Sequence, residues 1–174
     1  AVKNIILGTN LEITDSSIKT KKERYKTLST VSMILERENF GKTEILLQLR
    51  TNTGWMDNFW DLGACGHVDE GETLTDATIR ETKEELCIDV LPEDVEFISL
   101  NHNNLGKKGV YYCFYMKIKN YSGEISIGEP DKCAELRWFD IENLPENIIP
   151  IRESALKDYK KGIVYNEIGW DNNV

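Results

Sequence analysis

GHVDEGETLTDATIRETKEELCI, residues 66–88, places seven carboxylates and two basic side chains within twenty-three residues. Its spacing predicts a helix over Thr73–Leu86. At about 100° per residue, Glu81, Glu84 and Glu85 stand at i, i+3 and i+4 and share one face of it. Thr75, Ile79, Thr82 and Leu86 fall on nearly the opposite face, a stripe suited to packing against a sheet. Like charges at helical neighbours destabilise a helix by a few tenths of a kcal/mol per pair, and glutamates near its C-terminal end oppose the macrodipole. A bound divalent cation would offset that cost, and an oxygen-only ligand set suits Mg²⁺ or Mn²⁺. Charge alone does not decide the matter, because a glutamate-rich helix face is ordinarily a solvated one.

Strand patterns surround this stretch. Lys26–Leu35 and Glu44–Arg50 are β-branched and apolar, and the polar ERENFGKT between them reads as a hairpin connection. WDLGACGHV, residues 60–68, reads as a short strand running into a loop. DVEFISLNH and GVYYCFYMKI are rich in Val, Ile, Tyr and Phe, and Glu135–Asp140 is a shorter strand candidate. A second helix is expected over Pro150–Lys161. Strands, one helix, more strands and one helix make an α+β fold, or a mixed sheet flanked by helices.

The chain of 174 residues fits one domain, which we place at 25–174 behind an N-terminal extension at 1–24 that supplies one strand at most. A net charge of −9 argues against a surface built to hold nucleic acid backbones, so no nucleic acid partner is expected. The basic runs Lys19–Lys26 and Lys157–Lys161 are interrupted and read as solvated faces. Cys65, Cys87, Cys113 and Cys133 stand far apart with no CxxC pair, which suggests neither a zinc site nor a disulfide framework. The sequence shows neither a signal peptide nor a membrane span, and the expected setting is the cytoplasm.

Gly66, Glu72, Arg80-Glu81, Glu84-Glu85 and Ile88 keep the spacing of the Nudix box, G-x5-E-x7-R-E-U-x-E-E-x-G-U with U a bulky apolar residue. The chain therefore resembles the Nudix hydrolases, and its MutT-like branch in particular. Thr82 replaces an aliphatic residue, a mild change. Cys87 replaces the last glycine, which commonly serves a left-handed C-cap that Cys adopts less easily. The resemblance implies an α/β/α sandwich with a mixed β-sheet, and cleavage of a nucleoside diphosphate linked to another moiety. It also implies that Glu81, Glu84 and Glu85 ligate Mg²⁺, with the carbonyl of Cys65 as a further ligand. Glu72 and Arg80 would pair to hold the loop against the helix, and Glu84 or Glu85 would serve as the base. Beyond the box, Glu124, Glu129 and Glu135 stand about where MutT-like enzymes place an additional metal-site glutamate, with Glu129 preferred.

Arg50, at a strand end beside the box, is a candidate for bidentate phosphate contact, and Trp55, Phe59 or Trp60 for stacking on a base, although a Trp here is as readily core. RWFDIENLP, residues 137–145, resembles the segment after the last long strand of MutT-like members and favours a small-molecule nucleotide substrate. Residues 103–106 hold neither the proline nor the tyrosine that marks ADP-ribose or dinucleoside polyphosphate branches. A nucleoside triphosphate or modified nucleotide is thus the expected substrate. Two rivals are carried. CGHVDEGE, residues 65–72, also resembles isopentenyl diphosphate isomerases, although only His67 and His102 are present for a metal that those enzymes bind through several histidines. A catalytically silent ligand-binding module is the other, and its usual mark, lost box glutamates, is missing here. The sequence leaves a homodimer open.

Overall fold

The computed structural model describes residues 24–171, so the expected N-terminal extension lies outside the described residues apart from Arg24. Among the described residues nine strands run in chain order: β1 (Leu28–Ile34), β2 (Glu36–Asn39), β3 (Lys42–Arg50), β4 (Trp60–Leu62), β5 (Ala64–His67), β6 (Val95–Asn104), β7 (Val110–Ile118), β8 (Cys133–Asp140) and β9 (Tyr165–Ile168). Helix α1 (Leu74–Leu86) follows β5, and α2 (Pro150–Lys161) follows β8. A mixed sheet has the order β5-β1-β7-β6-β9, with β1 parallel to β7 and β6 parallel to β9. In the second sheet β3 pairs antiparallel with β2, β4 and β8.

The five-stranded sheet is covered on both faces, which makes the chain the expected α/β/α sandwich. One core joins Val31, Met33, Ala64 and Met116 to Ala77 and Leu86 of α1. The other joins Ile34, Leu62 and Tyr115 to Ala155 and Leu156 of α2. β1 contributes to both, and Val31, Ser32, Met33 and Ile34 are accordingly buried in succession: a strand covered on two faces has no solvent side to alternate with. Among the described residues no helix is long and apolar enough to cross a membrane.

Two strand readings change. The hairpin turn joins β2 to β3 through Phe40 (φ 49°) and Gly41 (φ 75°), the paired left-handed residues that a two-residue turn requires, while β1 departs into the other sheet. WDLGACGHV holds two strands in different sheets, broken at Gly63. Strand β9 was not foreseen. It is four residues long with two exposed positions, so it lacks a run of apolar residues.

α1 starts where Thr73 caps it. The Thr73 hydroxyl accepts from the Asp76 N–H (3.1 Å) and the Asp76 carboxylate accepts from the Thr73 N–H (3.1 Å), a reciprocal box that satisfies two donors at the helix start. The apolar stripe is rotated from its expected place: Ala77, Thr78, Thr82 and Leu86 are buried, whereas Thr75 and Ile79 are half-buried. That rotation brings Glu81 and Glu85 toward the sheet. At the other end Cys87 takes the left-handed conformation (φ 62°, ψ 16°) that glycine would adopt at no steric cost. Two terminal carbonyls are satisfied by the loop before β8, because Ser126 N–H donates to Leu86 O (3.1 Å) and Gly128 N–H to Glu85 O (2.9 Å). A Cβ on Gly128 would lie 1.9 Å from the carbonyl oxygen of Glu84, so no larger residue permits this approach.

Cys87 is exposed, so replacing it removes no core packing. Cys87→Gly should stabilise the protein by about 1 kcal/mol, raising the thermal midpoint by about 2–4 °C. A midpoint unchanged or lowered in a scanning calorimeter would show that the left-handed cysteine costs nothing here.

Candidate active site

The rotated helix lays its acidic face along a cavity of about 630 Å³, within the range of small-molecule sites. Gln48 and Arg50 reach it from the end of β3, Asp61 from β4, and Cys65, Gly66 and His67 from β5. Glu81, Glu84 and Glu85 line it from α1, Glu129 and Lys132 from the loop before β8, and Ile151 and Arg152 from the first turn of α2.

Arg80 braces this arrangement from behind. Its Nε and Nη2 donate to the two carboxylate oxygens of Glu72 (3.1 and 2.7 Å), a parallel fork of the strong bidentate kind. Nη2 also donates to His67 O (3.0 Å), and Nη1 reaches Glu81 (2.7 Å) and Glu84 (3.3 Å). Glu72 in turn accepts from the Asp69 N–H (2.6 Å), so the loop of residues 67–72 is fixed to the helix at several points.

Gly66 is needed for space rather than for an unusual backbone. A Cβ there would sit 1.9 Å from the Glu81 carboxyl group, which occupies the volume a side chain would fill. Beside it, Oε2 of Glu85 accepts from the Cys65 N–H (2.8 Å) and from Gln48 Nε2 (3.1 Å). Burial pushes the Glu85 carboxyl up to about 8, and the nearby Glu81 charge adds to this. Burial likewise raises Glu81, with Glu84 and Glu129 contributing as like charges. The wall thus carries more negative charge than its surroundings accommodate.

Among the described residues no three Asp, Glu, His or Cys side chains converge as a ready ligand set. Glu81 and Glu84 are turned to Arg80, and Glu129 to Lys132 (2.7 Å). The donor chemistry nevertheless fits a hard cation: four glutamates along one cavity, two of them raised by burial and crowding, supply oxygen ligands and unmet charge.

The other candidates are distributed as follows. Arg50 lines the cavity, but its Nη1 is held by Asp61 (3.0 Å) and its Nε by Trp55 O (3.0 Å), which leaves Nη2 for a ligand. Trp55 lines the cavity with the Arg50 guanidinium 5.1 Å from its ring centre. Trp60 does not line it; it is 5% exposed and meets Phe139 edge-on at 4.8 Å, so the stacking expectation is corrected to a core role. Glu135 pairs with Arg137 and lies off the cavity, as does exposed Glu124. The Cys65 thiol donates to Asp61 (3.3 Å) and is held well above its ordinary value by burial and by that carboxylate.

Gln48, Asp61, Lys132 and Arg152 are among the cavity residues that the sequence did not mark. Asp61 is fully buried and takes Arg152 Nε at 2.7 Å and Arg50 Nη1 at 3.0 Å. Burial opposes its ionisation, but Arg152 and Arg50 overcome this and hold it below the ordinary carboxylate value.

The NUDIX domain family model matches residues 26–159. An RNA pyrophosphohydrolase of Wolbachia pipientis is 31% identical over 117 residues, spanning 58% of this chain and 70% of the relative. A MutT NUDIX hydrolase structure from Burkholderia pseudomallei superposes with a TM-score of 0.66 at 24% identity, covering 76% of this chain and 98% of that one. The NUDIX domain of NrtR from Shewanella oneidensis, solved with ADP ribose, gives 0.64 at 18% identity, covering 79% and 89%.

Gly66→Ala should leave the melting temperature nearly unchanged, because only the flexible end of Glu81 must move, yet lower catalytic activity about a hundredfold; equal activity would remove the steric argument. Glu85 gives a pH signature. Its carboxyl is raised from 4.5 to about 8 in the fold, so the folded chain binds the extra proton between those values. That contribution favours folding below the unfolded value and is lost as pH rises through the folded one. In chelator, Glu85→Gln should therefore gain thermal midpoint over the wild type as pH rises from 4.5 to about 8, and no further above that. Parallel profiles for the two proteins would refute it.

Proposed function

The chain belongs to the NUDIX domain family, and from that premise we propose that it is a Mg²⁺-dependent pyrophosphohydrolase that cleaves a nucleoside diphosphate linked to another moiety. Mn²⁺ would serve in place of Mg²⁺, and the substrate is a nucleoside triphosphate or a modified nucleotide. The observation that carries the reading is the cavity wall of Glu81, Glu84, Glu85 and Glu129, with Glu81 and Glu85 raised by burial and mutual repulsion. A pyrophosphate repels an attacking hydroxide, so its charge must be neutralised and a nucleophile generated near neutral pH. A divalent cation bound by these carboxylates would supply both.

The chain's own groups do the rest. Cys65 N–H and Gln48 both bond Oε2 of Glu85, so Oε1 is the oxygen that can accept a proton from the attacking water. Glu84, exposed and held by one long contact to Arg80, is the freest of the three helix carboxylates to take up a ligand. Arg50 Nη2 and Lys132 offer cavity-lining cations to the phosphates. The isomerase alternative calls on a Cys65 proton, and here that thiol is engaged by Asp61.

A second reading draws on the Wolbachia relatives, which are RNA pyrophosphohydrolases: the triphosphate could belong to the 5′ end of an RNA. The net charge of −9 speaks against long contact with a phosphate backbone.

The test is phosphate and pyrophosphate release with Mg²⁺ from nucleoside triphosphates, oxidised nucleotides, ADP-ribose and a 5′-triphosphate RNA oligonucleotide. Free triphosphates should turn over fastest; cleavage of the RNA alone would transfer the assignment to the second reading. Glu84→Gln and Glu85→Gln should each lower the rate by roughly a thousandfold or more with the fold intact. Wild-type turnover in both would remove the metal-site assignment.

A further inference from the structure

The cavity walls differ in chemistry. α1 and the loop before β8 give carboxylates, whereas the five-stranded sheet gives Thr30, Tyr111 and Cys113, and α2 gives Ile151 and Arg152. Arg152 is a charged side chain only 5% exposed, and two residues hold it. Nε donates to Asp61 (2.7 Å), Nη1 donates to the Tyr115 hydroxyl (3.2 Å), and the guanidinium stands 5.7 Å from the Tyr115 ring centre. Asp61 is shared with Arg50, so two buried or half-buried cations face one carboxylate and a single positive charge is left over. Among the described residues Nη2 of Arg152 meets no protein acceptor. A guanidinium has donors only and does not deprotonate, so the remaining edge calls for an acceptor from a ligand.

Ile151, Leu105 and the ring of Tyr111 line the same cavity and offer apolar and aromatic surface that suits a flat ring rather than a phosphate.

We propose that Arg152 reads the nucleobase and selects an oxo-bearing base, guanine, hypoxanthine or uracil, over amino-bearing adenine or cytosine. This rests on the reading of the substrate as a nucleoside triphosphate. The 6-oxo group of guanine or hypoxanthine, or O4 of uracil, accepts an N–H from Nη2. The amino group of adenine or cytosine would turn N–H toward N–H.

ITP and ATP differ at the position in question, and their comparison needs no variant. With Mg²⁺, the wild type should hydrolyse ITP with a kcat/KM about tenfold to a hundredfold above that for ATP, mainly through KM. GTP and UTP should side with ITP, and CTP with ATP. Arg152→Lys retains a cation for Asp61 but loses the fixed Nη2 donor, and its ITP-to-ATP ratio should fall to within a few-fold, with folding checked by thermal melting. Equal kcat/KM for ITP and ATP in the wild type, or an ATP preference, overturns the assignment of Arg152 alone. An unaltered ratio in folded Arg152→Lys does the same. Hydrolysis of none of these triphosphates overturns both this assignment and the reading beneath it.

Discussion

One guanidinium holds the site together. Arg80 bonds a loop carboxylate through two oxygens, a strand-end carbonyl, and two carboxylates of its own helix. Without it, the acidic residues of α1 would repel one another on a helix free to turn, and the loop over β5 would have no fixed height above the sheet. With it, Glu81 and Glu85 can be pressed toward Gly66 and Cys65, where burial raises their affinity for a positive partner. The energetic cost of crowding carboxylates is thereby kept in the fold and becomes available to whatever cation relieves it.

The site also shows two electrostatic treatments of a buried carboxylate a few residues apart in space. Glu85 receives neutral donors, Gln48 and a backbone N–H, and stays close to protonation. Asp61 receives two arginines and stays ionised, despite deeper burial. The same residue chemistry therefore yields one group able to exchange a proton and one that serves as a permanent anchor. This division of labour is set by the partners and not by depth.

What could be read beforehand was whatever repeats at short range. Residues 66–88 disclosed the helix and its acidic face, because glutamates three and four apart are neighbours on any helix. The fold class followed from strand and helix order. What stayed hidden was contact at long range. Asp61 and Arg152 are separated by 91 positions, and each alone looks like a surface charge. Gln48 lies in an ordinary strand pattern, and its tie to Glu85 spans 37 positions. Trp60 looked available for stacking because a sequence cannot tell an aromatic ring beside a ligand from one packed against Phe139. The rotation of the α1 stripe was missed for a related reason: Ala77 and Thr78 carry little hydrophobic signal, yet small residues allow the close approach that turns the helix.

The contact between Gly128 and the end of α1 has a consequence for how this protein can vary. The N–H of Gly128 is bonded to Glu85 O, and its bare Cα lies against Glu84, so the residue immediately before Glu129 is locked to the helix that carries the other acidic side chains. The segment leading to it is anchored as well, since Ser122 and Asp89 exchange backbone hydrogen bonds (2.9 and 2.8 Å) and Ile125 packs against the core beneath α1. The spacing from Ser126 to Glu129 is thus inherited with the function: lineages descending from this sequence cannot lengthen that span without drawing Glu129 away from the helix.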